Sequence, residues 1–133
     1  MKTKKYPLET YSQEHDSDII YVRFDKNLKV DLPTAQKLVL NRLAFTENKK
    51  HYLIIDFSNI ILVTPEAKTY MQSHEGGLKN VIAAAFFASN HISALLANIF
   101  VKTPNITSAF LQNEKDALVW IEELKQKTEL RNK

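Results

Sequence analysis

"LIIDFSNIILVTPEAKTYM", residues 53–71, decides the fold. It begins within "YLIIDF" (52–57), a continuous apolar run ending in an acid, which is the pattern of a strand covered on both faces. Thr64 and Pro65 then open a helix, a hydroxyl at the cap and a proline in the first turn. Ala67, Tyr70, Met71 and His74 recur at helical spacing, and Gly76–Gly77 close the element. A buried strand leading into a helix is the unit of a parallel sheet.

The same alternation extends in both directions. "IIYVRF" (19–24) is β-branched and aromatic and reads as a strand. "LETYSQE" (8–14) alternates weakly and pairs with it as a hairpin across the turn residues "HDSD". "KNLKV" reads as a loop or strand extension. Asp31 caps a helix that carries Pro33 in its first turn and Ala35, Val39 and Leu43 along one side, running to Thr46. Downstream, "VIAAAFFAS" (81–89) is a second buried strand with small side chains, and "HISALLANIFVK" (91–102) a helix. "ITSAFL" (106–111) is a short strand, and Asn113 caps a last helix with Ala117, Trp120, Ile121 and Leu124 on its face. The order β-β-α-β-α-β-α-β-α specifies an α/β fold with a mainly parallel sheet of about five strands, four flanking helices and an antiparallel N-terminal hairpin.

The 133 residues fit one domain, expected over 8–125, with a disordered basic tail at 1–7 and a C-terminal tail at 126–133. The net charge of +3 comes from Lys2, Lys4 and Lys5; the remaining basic residues match the 15 acidic ones. No basic stripe interleaved with aromatics is visible, so nucleic acid is not an expected partner. The absence of cysteine excludes disulfides and thiolate chemistry. "MKTKKYPLETYSQE" lacks the apolar core of a signal peptide, so a cytoplasmic location is expected.

Catalytic signatures are missing. The two glycines are adjacent and build neither a phosphate loop nor a dinucleotide fingerprint. The histidines at 15, 51, 74 and 91 have no ligand spacing, so no metal, no cofactor and no catalytic set are expected. Asp56 stands near the carboxyl end of a central strand, where open α/β sheets place ligands. A buried carboxylate needs a partner, and Arg42 on the preceding helix is the candidate. Ser58, Ser89 and Asn90 follow two such strands and form a candidate polar rim.

Charge depletion is the least ordinary feature: from Asn80 to Asn113 the only charged residue is Lys102. Polar residues in the middle of 81–101 argue against a membrane span. Ile92, Leu95, Leu96, Ile99 and Phe100 are expected to pack on the sheet. That leaves Ala94, Ala97 and Val101, with Ser93 and Asn98, as a small, uncharged outer face, where a surface helix normally carries charge. Such a face calls for a second contact, with another protein, a second copy of the chain or an apolar ligand.

"IDFSNI...VTPEAK", "AAAFFASN" and "AFLQNEKDALVWI", with the element order, resemble STAS domains, the fold of bacterial anti-sigma factor antagonists. The closer likeness is to a family of short, uncharacterised bacterial STAS-like proteins. The resemblance implies a regulatory, non-catalytic domain that binds proteins. It also implies a phosphorylated serine in an Asp-Ser-Ser-Gly-like turn before the helix. Here that turn reads Thr64-Pro65-Glu66-Ala67, without the serine and the glycine. Thr64 is the one hydroxyl at the position, and its expected work is that of an N-cap. A small-molecule or lipid-binding module is the alternative, because the alanines of "VIAAAFFAS" leave room between sheet and helix.

Overall fold

A computed structural model describes residues 1–104 and 106–131. The elements are β1 (Lys2–Tyr6), β2 (Glu9–Gln13), β3 (Ile19–Phe24), β4 (Leu28–Val30), α1 (Leu32–Phe45), β5 (His51–Asp56), β6 (Ile60–Val63), α2 (Pro65–Met71), β7 (Val81–Phe87), α3 (His91–Val101), β8 (Thr107–Phe110) and α4 (Glu114–Arg131). Six strands form one sheet in the order β1-β2-β3-β5-β7-β8. β1, β2 and β3 are an antiparallel meander, and β3, β5, β7 and β8 run parallel. This is the α/β architecture that the alternation of periodicities specifies.

Period-two alternation sorts the strand residues between two cores. Leu53, Ala84 and Phe86 face the side covered by α1, α2 and α3. Tyr52, Ile54, Ala83 and Ala85 face the other, where Ala117 and Ile121 of α4 pack against them. The alanines at 83 and 85 let α4 approach closely.

Residues 1–7, expected as a disordered tail, instead supply β1, paired with β2 from Lys2–Gln13 to Tyr6–Glu9. An outermost strand is held by backbone bonds and needs no apolar face. Its lysines discourage further edge pairing, and Lys2 Nζ lies 4.6 Å from the Phe45 ring centroid. The turn between β1 and β2 puts Leu8 at φ 82°, an uncommon conformation for a branched residue. At the other end, α4 runs to Arg131, through the segment expected as a C-terminal tail.

Two further strands lie where connections are expected. β4 and β6 pair in parallel as a separate two-stranded sheet. Both are short, and their pairing joins residues about thirty apart, which no local pattern reveals. The glycine pair also sits beyond the helix rather than ending it. α2 stops at Met71, and Gly77 N–H reaches back to the Tyr70 carbonyl at 3.1 Å. A Cβ on Gly77 would stand 2.0 Å from the Met71 carbonyl oxygen, so only glycine fits this close return.

Candidate functional site

The polar rim assembles at the carboxyl ends of β5 and β7. Asp56 Oδ1 accepts from Ser58 N–H at 2.9 Å, a local turn bond. Ser58 then ties the β5–β6 turn to the start of α3. Its hydroxyl oxygen accepts from Ser89 N–H at 2.9 Å, and its carbonyl accepts from Asn90 Nδ2 at 2.8 Å and from Ser93 Oγ at 3.0 Å. Asn90 caps α3 by accepting from Ser93 N–H at 2.9 Å. Ser58, Ser89 and Asn90 are thus brought together, and the hydrogen bonds they make run to one another and to α3.

Arg42 is not the partner of Asp56. It projects from α1 toward the opposite end of the sheet, where Nη2 donates to the Lys79 carbonyl at 3.0 Å. Lys79 precedes β7, whereas Asp56 ends β5, and one parallel strand length separates them. Thr64 caps α2 with extended backbone, its hydroxyl oxygen accepting from Ala67 N–H at 3.2 Å.

α3 is rotated from the expected orientation by about the 100° that separates successive helical residues. Ala97 is wholly buried, as are Ser93 and Phe100, while Ala94 and Val101 are half-buried. Ile92, Leu95 and Ile99 stand outward at 64%, 70% and 42% exposure. Small residues face inward because the helix lies close on β6, near enough for Ser93 Oγ to donate to the Ile60 carbonyl at 2.7 Å. Large side chains would hold the helix away and break that bond. The outward surface is therefore apolar and bulky. A groove runs beside it, walled by Leu95, Asn98 and Ile99 on one side and by Lys68 and Gln72 of α2 on the other, with Lys102 at one end. Asn98 is exposed, and its side chain donates back to the Ala94 carbonyl at 2.8 Å.

A second recess lies inside, between the sheet and helices α1, α2 and α3. It is a cavity of about 80 Å³, lined chiefly by apolar side chains that include Leu53, Ile55, Ala84, Phe86 and Phe100. Ala84 provides part of the room, as the small side chains of β7 lead one to expect. Arg42 is the charged residue in the wall, 4% exposed, and its Nε has no hydrogen-bond partner among the described residues.

Two more buried polar groups lie near α1 and at the start of β5. Glu9 has one carboxylate oxygen against the Tyr11 hydroxyl and the other accepting from Asn41 Nδ2 at 3.1 Å. Burial raises its pKa from 4.5 to about 7, against the lowering effect of these bonds. Tyr11 Oη also lies 3.1 Å from the Leu38 carbonyl. A tyrosine hydroxyl carries one proton, so when it donates to Leu38 the Glu9 contact is made by a proton on Glu9. His51 is buried, with Nε2 unpartnered among the described residues and Nδ1 at 2.8 Å from the Lys49 carbonyl, and desolvation lowers its pKa to about 4. Glu9 escapes sequence reading because its strand is polar, although period two puts it on the face of Tyr11.

Among the described residues no three His, Asp or Glu side chains gather as a metal site, and no helix is long and apolar enough to cross a membrane.

Comparison with known proteins agrees with the architecture. A domain of unknown function, DUF7793, matches residues 13–125. The chain belongs to this family. No curated protein matches. Among solved structures, an uncharacterised protein of the DUF3478 family from Shewanella loihica PV-4, described as having a SpoIIAA-like fold, is similar with a TM-score of 0.54 and 15% identity. The match covers 84% of this chain and 90% of that one. At that identity the likeness establishes the fold, which is STAS-like.

Proposed function

We propose that this protein is a non-catalytic regulatory domain that binds another protein through the outer face of α3 and the adjoining groove. One observation carries the reading: Ile92, Leu95 and Ile99 stand in solvent on a helix that has no charged residue. Exposed apolar residues scattered singly are ordinary, but a clustered set marks a contact surface. Lys68 and Lys102 border the groove and no acidic residue lines it. The matching partner therefore presents apolar side chains flanked by carboxylates. Protein taken gently from its own host and weighed by native mass spectrometry tests the reading. The expected result is a complex with a second polypeptide, reduced to the bare 15.3 kDa chain by Leu95→Glu with Ile99→Glu. Identical spectra for both proteins would overturn it.

The cavity under α1 supports a second reading, a domain that holds a small apolar molecule. Ala84 in the wall and the lining of Leu53, Ile55, Phe86 and Phe100 are its basis. In this reading the molecule sits between sheet and helices, and fluorescence or NMR titration with short-chain alcohols checks it.

A further inference from the structure

We infer that the cavity takes a small amphipathic anion, a carboxylate with a short apolar body, whose charged end meets Arg42. This rests on the second reading above and gives it a chemical class.

The argument begins with the unmatched charge. Arginine stays protonated inside proteins, and a buried guanidinium without a counter-ion is costly. Arg42 makes one hydrogen bond, to a neutral carbonyl, and has no carboxylate within salt-bridge distance among the described residues. Glu9 acts on it from further away, but its oxygens are engaged by Tyr11 and Asn41, and burial holds the carboxyl toward its neutral form. The positive charge at the cavity wall is therefore left without a full partner.

The other polar groups on the wall are occupied. Thr103 Oγ1 donates to the Phe100 carbonyl at 2.6 Å and accepts from Gln72 Nε2 at 3.0 Å. Ser108 Oγ donates to the Val101 carbonyl at 2.9 Å. Arg42 Nε–H is the donor left over, and it belongs to the side chain best shaped for a carboxylate.

Size and lining set the rest of the molecule. An engineered apolar cavity of about 150 Å³ holds benzene, so one of roughly half that volume suits an apolar body of about four carbons. A free inorganic anion would leave the hydrocarbon wall bare, and a neutral hydrocarbon would leave Arg42 unmatched. A short-chain carboxylate satisfies both.

The test titrates the full chain with pentanoate and, separately, with 1-pentanol, following amide and methyl NMR signals of Leu53, Ala84 and Phe100. Pentanoate is expected to shift these signals and to bind at least tenfold more tightly than the alcohol. Arg42→Met should remove that preference, and Arg42→Lys should retain part of it. Equal binding of the two probes would overturn the anion assignment while keeping an apolar pocket. Binding of neither would overturn both. The comparison in the unaltered protein decides the matter even if Arg42→Met fails to fold.

Discussion

Two helices on the same side of the sheet solve opposite problems. α1 buries polar groups: Arg42 lies beneath it, and Glu9 and Tyr11 lie against its Leu38 and Asn41. α3 does the reverse, burying Ser93 and Ala97 and turning Ile92, Leu95 and Ile99 to solvent. Hydrophobicity alone would turn Arg42, Glu9 and Ser93 outward and Ile92, Leu95 and Ile99 inward. Shape governs α3, because only small residues permit its close seat on β6. The α1 arrangement is held by a linked set of hydrogen bonds, and it carries the cost of an unmatched charge beside a cavity. In both helices burial follows shape and hydrogen bonding as well as hydrophobicity.

The contrast is broken most severely at Ala97. Ala97→Glu forces a charge into a site with no free volume and should cost more than about 3 kcal/mol. Urea denaturation will show either a collapsed midpoint or no folded protein. A stability close to wild type would mean that α3 is not seated as described.

The α1 side is probed by pH. With a folded pKa of about 7 against 4.5, Glu9 binds its proton more tightly in the native state. Its penalty is absent below pH 4.5, grows as the pH rises and is complete above 7. Glu9→Gln should therefore stabilise the protein at pH 8, by on the order of 3 kcal/mol at most, with little effect at pH 4.5. His51 works in the opposite sense. Its folded pKa of about 4 lies below the usual 6.5, so stability falls as the pH drops through that interval. The two intervals overlap between pH 4.5 and 6.5 with opposite slopes, so the contributions largely offset there, and thermal denaturation should show only a shallow maximum inside the overlap. A gain from Glu9→Gln that is the same at both pH values would show that the carboxyl does not titrate in the fold.

Filling the cavity should have a smaller effect on stability. Ala84→Val adds two methyl groups beside open space and should shift stability by less than about 1.5 kcal/mol while weakening pentanoate binding. A loss several times larger would indicate a tightly packed wall. The smallest change belongs to the α3 exterior, where Leu95→Glu with Ile99→Glu should leave stability within about 1 kcal/mol of wild type.

Much of this architecture is legible in the residues. β3 is marked over Ile19–Phe24 by β-branched and aromatic density, and α1 and α2 by Asp31 and Thr64 at their caps. What escapes has identifiable causes. β1 is a lysine-rich edge strand with no apolar face, and β4 and β6 are stabilised by each other across a long sequence separation. The face of α3 is ambiguous because the helix is apolar nearly all round. Side-chain size then points to one orientation and the bond from Ser93 to Ile60 selects another. Arg42 can be placed on α1 from sequence, but not at the end of the sheet remote from Asp56. The candidate rim of Ser58, Ser89 and Asn90 is legible as a cluster, since all three follow parallel strands. Their bonding to one another and to Ser93 depends on the tertiary seat of α3.

The proposed role of α3 is tested most directly by a photo-crosslinking amino acid placed at Leu95 in the living host, with the same group at exposed Glu123 on α4 as the control. A discrete crosslinked protein from position 95 and none from 123 is the predicted result. No adduct from position 95, or the same adducts from both positions, would contradict an interaction surface on α3.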